Sequence, residues 1–125
     1  MSTIKANTLL HSDGSTTNPP AIPALDKRMA KAWVIYQANT NTISNSYNVS
    51  SVTDVATGTF LVNYTAAVSN AIHPTVATCP TNSGAARNIV AGARGMTTST
   101  ADLFVETSDG LALDQSSVSF IAFDN

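Results

Sequence analysis

From Ala32 onward the apolar residues fall in short runs that alternate with polar ones and are cut apart by turn residues. A period of two is the pattern of a strand with one face in a core, because successive side chains point to opposite sides. Phe60, Val62 and Tyr64 share one face of such a strand, with Leu61, Asn63 and Thr65 on the other. Tyr47, Val49 and Ser51 make a second set, and Leu103 and Val105 a third. Val118, Phe120 and Ala122 stand opposite Ile121 and Phe123. Turn chemistry separates these runs at Asn39 to Asn41, Asp54 to Gly58, Asn82 to Gly84 and Ser108 to Gly110. The spacing predicts an all-β chain, an antiparallel β-sandwich of about eight strands. Val118 to Phe123 is apolar on both faces, which places it centrally in a sheet or under a neighbouring chain, since an apolar edge invites aggregation.

The first 25 residues differ. Ile4, Leu9, Leu10, Ile22 and Leu25 have no period of 2 or 3.6, and Pro19, Pro20 and Pro23 favour an extended path. Such a segment cannot build its own core and needs something to lie against. The division is therefore an extended N-terminal docking arm over 1–25 and a β-sandwich display domain over 26–125. With 125 residues, the chain is one domain that buries roughly two-thirds of its unfolded surface. Ala24 to Lys31 alone has helix-favouring composition, and it carries Lys27, Arg28 and Lys31. About two turns are unstable without packing, so a short solvated helical turn or connecting neck is the expectation there.

Charge narrows the partners. Charged residues are 11% and the formal net charge is −2, which leaves no footprint for a phosphate backbone or an anionic membrane. Nucleic acid is excluded as an expected partner. Ser, Thr and Asn supply about a third of the residues while hydrophobics reach 43%, a composition suited to an extracellular or particle-bound β-protein. The single Cys79 cannot close an internal disulfide and reads as a small apolar residue. Met1 to Thr8 has no signal-peptide core and no run reaches the roughly 20 apolar residues of a membrane span, so a soluble cytoplasmic product without membrane insertion is expected. The sequons at Asn48 and Asn63 then read as coincidences of composition.

Catalysis requires groups that converge, and the inventory is short. His11 lies in the arm and His73 precedes Pro74; neither has metal-ligand spacing, and His73 is expected at the surface or an interface. Glu106, Asp109 and Asp114 could pair as carboxylates, but Asp109-Gly110 reads better as a turn and Asp114 as a strand entry. No Gly-x-Ser-x-Gly elbow or phosphate loop occurs. Arg87 and Arg94 read best as solvent-exposed. Trp33 and Tyr36 read as core or subunit packing. No enzyme activity, cofactor or metal is expected.

These residues carry a likeness. Lys31-Ala-Trp-Val34, Ser46-Tyr-Asn-Val-Ser-Ser-Val-Thr-Asp54, Thr57-Gly-Thr-Phe60 and Val62-Asn-Tyr-Thr65 resemble a block of bacteriophage tail-fibre and related virion proteins, especially from phages of aquatic bacteria. Met96-Thr-Thr98, Asp102 to Thr107 and Leu113 to Phe123 are similar to that family's closing strands, and Met1 to Thr8 to the starts of phage fibre and appendage proteins. No motif in them is catalytic. Family members often carry the block at the end of a long fibre, whereas here about 25 residues precede it.

The resemblance implies a virion structural protein, a homotrimeric short tail fibre, tip or surface appendage, with a capsid decoration protein as the alternative. A polysaccharide-processing enzyme using Glu106 and Asp109 is a remoter one. The arm residues Ile4, Leu9, Leu10, Ile22 and Leu25 would then make assembly contacts with sister subunits and other virion proteins. Loops around Asn39 to Asn45 and Pro80 to Asn88, with Asn39, Asn41, Asn45, Asn82 and Arg87, would meet a host-surface glycan or protein, as loops on a rigid scaffold commonly do.

Overall fold

The computed structural model describes residues 29–80 and 89–124. Among them are eight strands and no helix: β1 (Ala30–Gln37), β2 (Thr42–Tyr47), β3 (Val49–Ala56), β4 (Thr59–Tyr64), β5 (Thr75–Thr78), β6 (Ile89–Met96), β7 (Thr100–Thr107) and β8 (Val118–Phe123). They form two antiparallel four-stranded sheets, ordered β2-β1-β8-β5 (sheet A) and β3-β4-β7-β6 (sheet B). This is a β-sandwich, as the alternation predicts. The arm lies outside the described residues.

The core is the alternation made three-dimensional. Ala32, Val34 and Tyr36 from β1 and Val118, Phe120 and Ala122 from β8 are buried on the inner face of sheet A. They meet Phe60, Val62 and Tyr64 from β4 and Ala101, Leu103 and Val105 from β7. Two ring pairs tie the layers: Tyr36 meets Phe60 edge-on with centroids 5.4 Å apart, and Tyr64 lies nearly parallel to Phe120 at 6.5 Å. Each pair takes one ring from each sheet, so it adds to area burial an interaction across the layers. β8 is central, between β1 and β5; that placement protects a strand whose outer face is also apolar.

Three local expectations change. Ala30 and Lys31 belong to β1 rather than to a helical neck, because the ladder to Phe123 on β8 outweighs a weak helix preference. Tyr47, Val49 and Ser51 do not share a strand: Asn48, at φ 53°, stands between the end of β2 in sheet A and the start of β3 in sheet B. Asparagine tolerates that left-handed conformation, and its side chain stabilises the crossing. Its amide donates to the Lys31 and Ala66 carbonyls (2.9 and 3.0 Å), while its Oδ1 accepts from the Ala66 N–H at 2.7 Å. The amide that a sequon would glycosylate is thus spent inside the fold.

His73 is the third, being buried rather than at the surface. Its Nδ1 lies 2.9 Å from the Asn70 carbonyl and its Nε2 2.9 Å from the Tyr64 hydroxyl. A carbonyl only accepts, so Nδ1 carries the proton and, in the neutral ring, Nε2 accepts from Tyr64. Burial pushes the Tyr64 phenol up to about 12, which keeps it a donor at any physiological pH.

Candidate functional site

The two ends of the sandwich are built from different parts of the chain. At one end the chain enters at Met29 and Ala30, the latter opposite Phe123. That entry end is closed by Asn48, by Ser69 donating its N–H to Asp124 at 2.6 Å, and by Val68 donating to the Thr98 carbonyl. The opposite end gathers the β1–β2 turn at 38–41, the β3–β4 turn at Gly58 and the 108–117 segment between β7 and β8. Pro80, just after β5, and Ile89, which opens β6 opposite Thr107, also lie towards it, so the link over 81–88 starts and finishes at that end.

The turns there are stiff. Asn41 has φ 53° and its Oδ1 accepts from the Tyr36 hydroxyl at 2.5 Å. Thr40 donates to the Gln37 Oε1, and Gln37 in turn donates to Ser44. Gly58, at φ 66°, faces the 105–114 backbone so closely that a Cβ would stand 2.3 Å from the Val105 carbonyl oxygen; only glycine fits. Its N–H donates to Asp114 Oδ1 at 2.8 Å and its carbonyl accepts from the Val105 N–H. Tyr36 is raised above its ordinary value by burial first, then by the Asp54 and Asp114 carboxylates.

The residues singled out from sequence separate. Asn39 and Asn41 are both exposed at the turn, and Asn41 is also a structural acceptor for the Tyr36 hydroxyl. Asn45 lies within β2, not in a loop, because Thr42–Tyr47 pairs with β1; it stands opposite Ile35 and accepts the Ser46 N–H. Asn82 and Arg87, like Ile4, Leu9, Leu10, Ile22 and Leu25, lie outside the described residues. Arg94 is exposed yet paired within the chain, to Asp102 at 3.3 Å and to Thr59 at 3.0 Å. Glu106 is on β7 opposite Val90, Asp109 is in the turn before Gly110 at φ 79°, and Asp114 clamps Gly58 rather than opening a strand. Among the described residues no three His, Cys, Asp or Glu side chains group as metal ligands.

One feature escaped the one-dimensional pattern. Tyr47, Trp33, Ile121 and Val76 are consecutive register partners across β2, β1, β8 and β5, and they form one row across the four strands of sheet A. Tyr47, Ile121 and Val76 are 46%, 38% and 54% exposed, and Ile35 beside them is also open. The only signal available in the sequence was the two-sided apolar character of 118–123.

No family model, curated protein or solved structure matches this chain.

Proposed function

We propose that the chain is a non-enzymatic bacteriophage virion structural protein, a homotrimeric short tail fibre, tip or surface appendage anchored by its N-terminal arm and touching the host surface with its far loops. The observation that supports it is the polarity of the sandwich. The arm joins at the Ala30/Phe123 end, whereas the Asn39 turn and the strand ends flanking 81–88 lie at the opposite end. A module that must be held by one side and read by the other needs that separation. Hydrogen bonds at Asn41 and Gly58 keep the outer turns in one shape, which lowers the ordering cost of binding. The trimer and the phage setting come from the likeness of the sequence to virion proteins.

The test uses intact particles. Exchanging residues 81–88 together with Asn39→Lys should lower host adsorption about tenfold, the effect of roughly 1.4 kcal/mol of lost contact, with the protein still on the particle. Unchanged adsorption and host range would remove the receptor role. Labelled antibody should decorate tails; label on heads assigns the capsid decoration role instead.

A further inference from the structure

We propose that the outer face of sheet A binds a neutral, ribbon-like oligosaccharide, with Trp33 and Tyr47 as the stacking platform and Asn45, Ser119 and Thr78 as the groups that bond its hydroxyls. The site is separate from the far-end turns, and the inference stands whether or not the chain belongs to a virion.

Two rows of side chains make the face. Trp33 and Tyr47 are register partners on β1 and β2, and Ile121 and Val76 continue their row across β8 and β5. Two residues along each strand, and therefore on the same side of the sheet, Asn45, Ile35, Ser119 and Thr78 are consecutive register partners in turn. The first row is apolar and begins with two aromatic rings; the second sets an amide and two hydroxyls around Ile35. Asn45 turns its Oδ1 to the Ser46 N–H at 2.9 Å. Its Nδ2 donor, like the Ser119 and Thr78 hydroxyls, is left without a bond to another described residue. With strands about 4.8 Å apart and the rows about 7 Å apart, they define a flat strip about 14 Å long.

Charge and area select the ligand. Neither row contains a charged side chain; Lys31 and Asp124 lie beyond them, towards the entry end. A nucleic acid or an anionic lipid headgroup would need cations that the rows do not supply. The polar row in the middle of the face also disfavours insertion into a bilayer core, where unbonded polar groups are costly. Tyr47, Ile35, Ile121 and Val76 keep between 38% and 54% of their surface open, on the order of 350 Å² of accessible area in all, the size of a functional patch on a monomer. A stable protein interface takes roughly 800 Å² of accessible surface from each partner. A saccharide matches both rows. Its weakly positive C–H groups settle on the negative face of an aromatic ring, and its equatorial hydroxyls project in the ring plane, where the amide and hydroxyls of the second row donate and accept. Extended β-linked chains lie as flat ribbons and suit a flat strip, whereas coiled α-linked chains do not.

Trp33 is the only tryptophan in the chain, so its fluorescence reads the platform directly. Titrating cellohexaose and chitohexaose into the full-length chain should, for at least one of them, change that emission saturably and shield Trp33 from acrylamide, whereas maltohexaose should not. Tyr47→Ala should weaken the binding about tenfold and Asn45→Ala about threefold, with far-UV circular dichroism unchanged. Ile72→Ala, at an 85% exposed position outside the face, should leave it as it was. No change in Trp33 with either ribbon oligosaccharide up to about 10 mM overturns the proposal. So does binding that Tyr47→Ala leaves intact, or that maltohexaose matches. Shielding of Trp33 that rises with protein concentration in the absence of sugar overturns it too, and assigns the face to a second copy of the chain.

Discussion

The two sheets share one core but turn different outer faces to their surroundings. Sheet B mixes open apolar residues, Val55 and Val90, with polar side chains bonded across its strands. Asn63 on β4 donates to Ser51 and Thr53 on β3 at 3.1 and 3.3 Å, and Arg94 on β6 bonds Asp102 and Thr59. Gly92, with no side chain of its own, lies beneath the Phe104 ring, where an added Cβ would sit 2.9 Å from it. Sheet A carries instead an apolar row across all four strands, with its polar side-chain bonds, Gln37 to Ser44 and Thr40 to Gln37, gathered at the β1–β2 turn. The difference teaches that burial on the inner side does not decide how the outer side is built: one face is tied by polar cross-strand bonds, the other sets open apolar side chains side by side.

The comparison holds only if the inner faces are equivalent, and the largest effects test that. Phe60→Ala in sheet B and Phe120→Ala in sheet A should each cost about 3–5 kcal/mol, since both side chains are fully buried in the common core. Chemical denaturation would show it; a mild effect on one side only would mean that the sheets are unequal inside as well as outside. Asn48→Ala, at the junction of the sheets, should cost about 2 kcal/mol, because it orphans the Ala66 N–H and strains a positive φ. Asn48→Gly should recover part of that loss.

Alkaline pH probes the other inter-sheet tie. Tyr64 titrates at about 12 in the folded chain against an ordinary 10.0. The unfolded chain releases this proton first, so the associated stability is fully present below pH 10 and is lost as pH rises towards 12. Denaturation midpoints for the wild type should fall over that window. Tyr64→Phe should flatten the fall while lowering stability at pH 7, where His73 loses its partner. Tyr36 adds to the residual slope in the same direction.

The outer faces should yield the smallest effects, with opposite characters. Asn63→Ala should cost about 1 kcal/mol by removing the cross-strand bonds of sheet B, and Arg94→Ala only about 0.5 kcal/mol, less in high salt, because that pair is exposed. Differential scanning calorimetry at two salt concentrations separates them. A larger loss at Arg94 than at Asn63 would make ion pairing, not the amide ladder, the finish of sheet B.

Much of the fold could be read from residue order. Phe60, Val62 and Tyr64, or Val118, Phe120 and Ala122, are buried as their alternation requires, because the pleat sends every second side chain to the same side whatever the partner strand is. The turns at Asn39 to Asn41 and Ser108 to Gly110 were legible for a similar reason, since Asn41 and Gly110 supply the positive φ those turns need. The candidate site was less so. Asn45 looked like loop in an Asn/Thr-rich run, and only its pairing with Ile35 makes it strand.

What the sequence determined by itself is therefore local: the strand class, the inward side of each strand and the break in character near residue 25. Tertiary structure alone decided that Asn48 divides one apparent strand between two sheets. It also decided that His73 goes inside to meet Tyr64, and that Tyr47, Trp33, Ile121 and Val76, far apart in the chain, become neighbours in one row. The physical reason is that a period of two specifies a face, whereas strand order and register are non-local choices made by the packing of the whole core.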